Sequence, residues 1–408
     1  MSDGRRILFV SHTAPAPPVS GERQRAFNLL RELGERDWEV SLFCIEHGQL
    51  APDALEQLHE LAPGGLLVQP QPHPAWRVAR SRLDVLRGRA FQRSFFLNRS
   101  SRRAFHSWIA GQEYDVIMVA LIYMLAYLPP ELASRTVLDS QNAEFHRLQS
   151  MASAKSGRGR ALAARWQLRA VEQFEREASA GVARTTAVSQ TEVDYFERFA
   201  PGRVDLVPNG VDTTRLIFEE RSSSQPQVLF LGSLDYGANV DALKFLIEDV
   251  LPRVRHSSVR LIVAGSNPRP EVRRIATRSP HAVELVGRVP DAAPYFSGSR
   301  MLLVPLRFGG GTRLKILESF ARGCPVVSTT IGCEGIGVED ERELLVADGA
   351  PALAEAIDRL LENPQLGERL AHGGRQLAEA SYDWSTITDR LEETLESVKE
   401  ARARARAG

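Results

Sequence analysis

The runs RILFVSH (6–12), YDVIMVA (114–120), VLFLGSL (228–234) and MLLVPL (301–306) are apolar at consecutive positions. A strand with one wet face alternates apolar and polar residues; a continuous run needs cover on both faces. Helical patterns separate these runs along the chain, as in VDALKFLIEDVLPRV (240–254). Strand and helix alternating in this way predict parallel sheets with helices on both sides, an open doubly wound α/β architecture.

The runs fall into two sets. WEVSLFCI (38–45), GLLVQ (65–69), RTVLDSQ (135–141), ARTTAVS (183–189) and RVDLVPNGV (203–211) complete the first. VRLIVAG (259–265), AVELVGRV (282–289) and PVVSTTI (325–331) complete the second. Between them lies RSSSQPQ (221–227), polar and linker-like, which puts the domain boundary near 206–226. A chain of 408 residues has room for two cores. We therefore expect an N-terminal Rossmann-like domain over 1–210 and a second over 211–385. A C-terminal helix with a basic, frayed tail then fills 386–408.

The 51 basic and 51 acidic side chains cancel, so charge lends no support to a nucleic-acid partner. Cys44, Cys324 and Cys333 form no CxxC pair and are odd in number, which predicts free thiols in a reducing compartment. The longest apolar run, VIMVALIYMLAYL (116–128), is shorter than the roughly 18–20 residues of a membrane span. The N-terminal apolar run is too brief for a signal peptide, so the expected location is cytoplasmic.

One stretch, RFGGGTRLKILESF (307–320), concentrates the chemistry. The chain leaves an apolar run, passes three glycines and enters an amphipathic helix. Free N–H groups and the macrodipole of that helix favour an anion. Thr312 is placed to cap it, and Arg307, Arg313 and Lys315 add positive charge. Lys315, Glu318 and Arg322 share one helical face, so Glu318 either reaches a ligand's vicinal hydroxyls or pairs with its neighbours. By spacing alone the loop is as good a plain turn as a phosphate cradle. Neither GxxxxGK[ST] nor GxGxxG at a first strand–helix turn is present.

GGGTRLKILESFARGCPVVST resembles the donor-site signature of GT-B glycosyltransferases, in particular the group 1, or family 4, retaining enzymes. RILFVSHTAPAPPVSGERQRAFNLLREL, VDLVPNGVD and VLFLGSLDYGANVDALKFL resemble other segments of that family in the same order, so the likeness covers nearly the whole chain. Sugar transferases of bacterial exopolysaccharide and surface-glycan clusters are similar. The resemblance implies two Rossmann-like domains facing across a cleft and a C-terminal helix crossing back to the N-terminal domain. It implies a nucleotide-sugar co-substrate, a UDP- or GDP-sugar, with no other cofactor and no metal. The acceptor would be a glycan, a lipid-linked sugar or a small molecule, bound by the N-terminal domain.

Carried over residue by residue, Glu318 matches the second acid of the family's E-x7-E motif, which holds the ribose. The first acid is missing, since Gly310 stands there. Gly311, Thr312 and Arg313 would contact the diphosphate, with Leu314 and Lys315 close by. Gly232 and Ser233 would face the phosphates. The usual KG pair after that strand is replaced by LDYGANVDAL, with Arg307 as the substitute cation. Arg288 and Val289 fall where the base docks. In the first domain Gly21 would close over the diphosphate. His12 ends the first strand, where both a structural and a catalytic role are open. DSQNAEFHR (139–147) occupies the place of a D-x-x-N-x-E run, making Asn142 and Glu144 catalytic candidates; helix capping by Ser140 or Asn142 is the competing reading.

Residues 77–103 hold nine arginines and one acid, Asp84, interleaved with Phe91, Phe95 and Phe96 and preceded by Trp76. Such a segment suits an anionic membrane surface, which would make the protein peripheral on the inner face of the cell membrane. A solvated helical face and a polyanionic partner are the alternatives. Two other functions compete with sugar transfer: a GT-B sugar-nucleotide epimerase, and an inactive nucleotide-sugar-binding scaffold.

Overall fold

The computed structural model describes residues 5–153, 158–220, 226–279, 281–309 and 313–407. They divide into two compact units, Met1–Asn209 with Trp384–Gly408, and Gly210–Asp383.

Unit 1 is built from β1 (Arg5–Ser11), α1 (Gly21–Glu35), β2 (Trp38–Glu46), α2 (Pro52–Leu61), β3 (Gly65–Pro70), α3 (Pro74–Leu86), α4 (Arg99–Ile109), β4 (Val116–Ala120), β5 (Thr136–Ser140), α5 (Glu144–Ser153), α6 (Arg158–Ala180), β6 (Arg184–Ala187), α7 (Gln190–Glu197) and β7 (Val204–Leu206). Its seven strands are parallel in the order β3-β2-β1-β4-β5-β6-β7. Ile7 to Val10 are fully buried, as a strand covered on both faces requires.

Unit 2 contains β8 (Gln227–Leu231), α8 (Gly237–Phe245), β9 (Arg260–Ala264), α9 (Pro270–Arg278), β10 (Ala282–Gly287), α10 (Ala293–Ser297), β11 (Met301–Val304), α11 (Leu314–Ala321), β12 (Val326–Ser328), β13 (Leu345–Val346), α12 (Ala350–Glu362) and α13 (Pro364–Leu377). Its order, β10-β9-β8-β11-β12-β13, repeats that of unit 1 strand for strand. In each sheet the chain reverses direction between its first and fourth strands, and such a switch point opens a crevice at the C-terminal ends of the strands.

The last helix, α14 (Trp384–Ala407), belongs to unit 1. Trp384, Ile387, Leu391, Leu395 and Val398 recur at helical spacing and are buried in one cluster with Ala26, Leu29, Leu30 and Leu33 of α1. Glu392 binds Arg5, and Arg36 donates to Asp389 at 2.9 Å. The helix runs to Ala407 rather than fraying into a tail, and Arg402 donates to the Tyr114 carbonyl.

Two long patterns are broken into shorter elements, and one local expectation is corrected. The apolar run at 116–128 is cut at Leu121, whose φ of 72° turns the chain from β4 into a 3-10 segment, Ile122–Tyr127. The arginine-rich region is not one helix but α3 and α4 with turns between them. The helix expected to start under Thr312 begins at Leu314, with Arg313 at the cap position and no side-chain cap. All three cysteines are free and buried. Among the described residues no helix is long and apolar enough to cross a membrane.

Candidate functional site

In unit 2 the site builds from the ends of β8 and β11. Beyond Leu231 the chain passes Gly232 and Ser233 and enters α8. Asn239, 8% exposed, organises this turn: its Nδ2 donates to the Ser233 carbonyl at 3.0 Å. Glycine is needed at 232 because a Cβ there would stand 2.6 Å from Asn239 Nδ2. Ser233 Oγ donates to Asp235 Oδ1 at 2.6 Å, so its hydroxyl is turned to its own loop.

From the other side, α11 buries Ile316, Leu317 and Phe320 in the core, each contributing roughly 2–3 kcal/mol of burial. That seating draws Lys315 inward. Its ammonium donates to the Leu231 carbonyl, lies 3.4 Å from Asn239 Oδ1 and stands over the Phe230 ring. Burial, with the Arg313 guanidinium nearby, pulls its pKa down to about 7. Arg313 is itself buried; its Nη2 donates to the Gly309 carbonyl at 2.8 Å, and burial lowers its pKa against the pull of Tyr236, Glu334 and Cys333. Lys315 is thus not on an outer face with Glu318, as its spacing suggested; it is tucked beneath the end of the sheet.

Glu318 pairs along the helix instead. Its Oε1 accepts from Arg322 Nε at 3.1 Å, and the side chain keeps 32% of its surface exposed. Burial of the remainder raises its pKa, with Arg322 opposing. Arg322 also approaches Asp291 at 3.9 Å, which ties α11 to the loop that follows Arg288 and Val289. Arg288 is exposed and Val289 half-buried, beyond the edge strand β10. Arg307 does not turn to the phosphate turn: it clamps Asp241 of α8 at 2.9 and 2.7 Å and covers Phe245. A bidentate carboxylate takes up the fork that an anion would need. Leu314 is half-buried against the core. Gly310, Gly311 and Thr312 lie outside the described residues.

In unit 1 the chemistry again gathers at the C-terminal ends of strands. His12, after β1, is 8% exposed; its Nε2 meets Glu22 Oε2 at 3.0 Å, and its Nδ1 is buried with no hydrogen-bond partner among the described residues. The hydrogen bond to His12 holds the Glu22 carboxyl below its usual pKa. Phe96 meets the His12 ring edge-on and also packs against Tyr123, whose hydroxyl bonds Glu144. Glu144 accepts from Gln92 at 3.0 Å and from Arg147. His12 and Glu144 are therefore joined through two aromatic rings. Gly21 is exposed at the start of α1.

The capping reading of DSQNAE fails in an informative way. Ser140 Oγ donates to the Asn142 carbonyl and caps nothing. The amides of Ala143, Glu144 and Phe145 go to buried carboxylates from other helices, Glu192 at 3.0 Å and Glu175 at 2.6 and 3.4 Å. Burial raises both acids to about 7. Asp139 is structural: fully buried, it takes Arg25 Nε at 3.0 Å and Nη2 at 2.6 Å, with Thr186 at 2.8 Å. Arg25 also donates to the Pro208 carbonyl, so the pair fastens α1, β5 and the chain leaving β7. Asn239, Arg25, Glu22 and Tyr123 were not anticipated. A polar residue inside an apolar helix start, as in GANVDAL, was the available signal for Asn239.

The family described as Glycosyl transferases group 1 matches residues 225–363, and Glycosyltransferase Family 4 matches 19–215. The chain is 27% identical to a glycogen synthase of Mycobacterium tuberculosis over 240 residues, 54% of this chain and 55% of that one. It thus matches about half the length of such relatives. In structure it is similar to a sucrose-phosphate synthase from Thermosynechococcus elongatus, with a TM-score of 0.75 at 19% identity over 97% of this chain and 100% of the other. It is also similar to Anabaena Alr3699/HepE in complex with UDP and glucose, with a TM-score of 0.65 at 16% identity over 96% and 100%.

Proposed function

The chain belongs to the group 1 glycosyltransferases, with two Rossmann-like parallel sheets of the GT-B type, and we propose that it moves a sugar from a nucleoside-diphosphate sugar to a glycan, lipid-linked or small-molecule acceptor. The observation that carries this reading is Lys315. A half-buried ammonium whose acceptors are a carbonyl and an amide, at the switch point of a doubly wound sheet and beside a second cation, is a receptor for a dianion. UDP bound by the Anabaena neighbour is of that chemical class.

Unit 2 takes the donor. Lys315 and Arg313 meet the diphosphate, with Gly310, Gly311 and Thr312 as further diphosphate contacts and Gly232 and Ser233 beside it. Glu318 keeps Oε2 for the ribose hydroxyls while Oε1 holds Arg322, and Arg288 and Val289 take the base. The reaction is retaining and independent of metal: as the glycosidic bond to the diphosphate breaks, these cations stabilise the leaving charge, and the leaving phosphate accepts the acceptor's proton. Arg307, spent on Asp241, takes no part.

Unit 1 takes the acceptor. His12, held by Glu22, and Asn142 and Glu144 serve the acceptor, with Gly21 at the start of α1. On α3 Trp76, Leu83 and Leu86 are exposed, 67%, 45% and 81%, among exposed Arg82 and Arg87. This face suits an anionic bilayer, which would keep the enzyme peripheral at the cytoplasmic membrane. Flotation with anionic vesicles at low salt should recover the protein; no flotation removes the membrane contact.

The decisive assay is release of nucleoside diphosphate from a panel of UDP- and GDP-sugars with glycan and lipid-linked acceptors. Turnover with one donor is expected. Donor binding without turnover on any acceptor would replace the transferase by a binding scaffold.

A further inference from the structure

Arg77 enters the C-terminal edge of unit 1 from the first turn of α3. Its guanidinium carbon lies 4.0 Å from the ring centre of Phe95 and 4.9 Å from that of Phe96. Its Nη1 donates to Gln71 Oε1 at 3.0 Å, and Gln71 Nε2 donates in turn to the His12 carbonyl at 3.2 Å. Phe96 meets the His12 ring with centres 5.3 Å apart. Two separate routes, one polar and one aromatic, therefore fasten this cation beside His12.

Among the described residues no acid neutralises it. Its side-chain acceptor is a neutral amide, and its Nε–H is buried with no hydrogen-bond partner. The acids of the neighbourhood are taken: Glu22 by His12, Glu46 by Arg23 and Thr13, Asp84 by the Ser94 amide, and Glu144 by Gln92 and Arg147. Burial lowers the pKa of Arg77, as expected of a cation without a counter-charge. In the same cluster His12 Nδ1 is also buried and unpartnered. Yet Arg77, Phe95, Phe96 and Gln71 are all half-buried, so one side of the cluster stays open to a ligand.

We propose that Arg77 is the seat of an anionic oxygen group, a phosphate or carboxylate carried by the acceptor and held next to His12. The proposal rests on the reading of unit 1 as the acceptor side. A guanidinium stacked on aromatic rings is already fixed in orientation, and its planar fork matches phosphate and carboxylate oxygens. Gln71 sets the position of the cation without spending its charge. The anion has two sources, a soluble sugar phosphate or acid and the headgroup of a lipid-linked acceptor. The exposed face of α3, which begins at the neighbouring Trp76, favours the second.

Titration calorimetry on the full chain separates these, with glucose 6-phosphate and geranyl phosphate as probes. At least one probe should bind the wild type, and R77Q should weaken it tenfold or more. Q71E should do the same, because a carboxylate then occupies the guanidinium from within while Arg77 stays on its rings. Binding of geranyl phosphate alone supports a lipid headgroup; equal binding of both supports a soluble anion. The seat is refuted if neither probe binds, or if R77Q and Q71E bind as the wild type does. Should R77Q lose its cooperative melt, Q71E decides. Nucleoside diphosphate release is scored separately: a chain that binds the probes through Arg77 but turns over no donor refutes the transferase and leaves the seat standing.

Discussion

The two units share one strand order but not one electrostatic design. At the C-terminal edge of unit 1 most charges are met from within: Arg25 by Asp139, His12 by Glu22, Arg147 by Glu144. Two further acids, Glu175 and Glu192, are so buried that they reach a pKa of about 7. At the matching edge of unit 2 a base, Lys315, is brought down to about 7. One edge stores acid and the other stores base. On the proposed function, the same backbone plan serves an acceptor at one edge and a dianionic donor at the other. Arg77 is the exception on the first edge, which is why it points to an acceptor with a charge of its own.

The largest effect should come from unit 1's internal pairing. Asp139→Ala leaves Arg25 buried and unpaired and should cost about 3–5 kcal/mol of stability, read by urea denaturation. A loss below 1 kcal/mol would show that the edge is not held by that pair.

Lys315→Met should do the reverse in unit 2. Donor affinity should fall about 30- to 1,000-fold, the roughly 2–4 kcal/mol typical of removing a buried charged partner. Unit 2 should melt no lower than the wild type, since the cost of burying an amine disappears. Equal donor affinity in the variant would break the comparison.

pH sharpens it next. The raised acids Glu175 and Glu192 contribute stability that is complete below pH 4.5 and is lost as pH climbs through about 7. For Lys315 the folded pKa lies below the unfolded 10.5, so the unfolded chain binds more protons between about 7 and 10.5 and stability rises with pH there. Calorimetric scans at pH 5, 7 and 9 should therefore show contributions of opposite slope, of which Glu175→Gln reduces the first and Lys315→Met abolishes the second. Donor affinity should also weaken up to tenfold per pH unit above 7, because a diphosphate binds the protonated amine. A flat profile between pH 6 and 9 would remove Lys315 from the site.

The smallest effect belongs to Glu318. Glu318→Ala should weaken the donor about tenfold, one to two hydrogen bonds' worth, without lowering the melting temperature by more than a few degrees. Unchanged affinity would leave Glu318 as a partner of Arg322 and nothing more.

The architecture was legible because burial on both faces of a parallel strand imposes a local pattern. RILFVSH, VLFLGSL and MLLVPL carry it whatever their neighbours are, and each became a strand within three residues of its expected ends. Charged side chains have no such pattern. Lys315 and Glu318 sit three residues apart and are both half-buried, yet the seating of α11 takes the first to the Leu231 carbonyl and leaves the second with Arg322. Arg307 looked like a spare cation until Asp241, sixty-six positions earlier, claimed it.

By itself, the amino-acid sequence determined two doubly wound sheets, the break between them and the segment 307–320 as the place for chemistry, since apolar periodicity and glycine spacing are local properties. Only the tertiary structure decided which charges are already neutralised. Glu192 holding the Ala143 amide, Asp139 beneath Arg25 and Lys315 on the Leu231 carbonyl all join distant positions. The free energy of a buried charge depends on the partner that reaches it through space, and no local pattern records that partner.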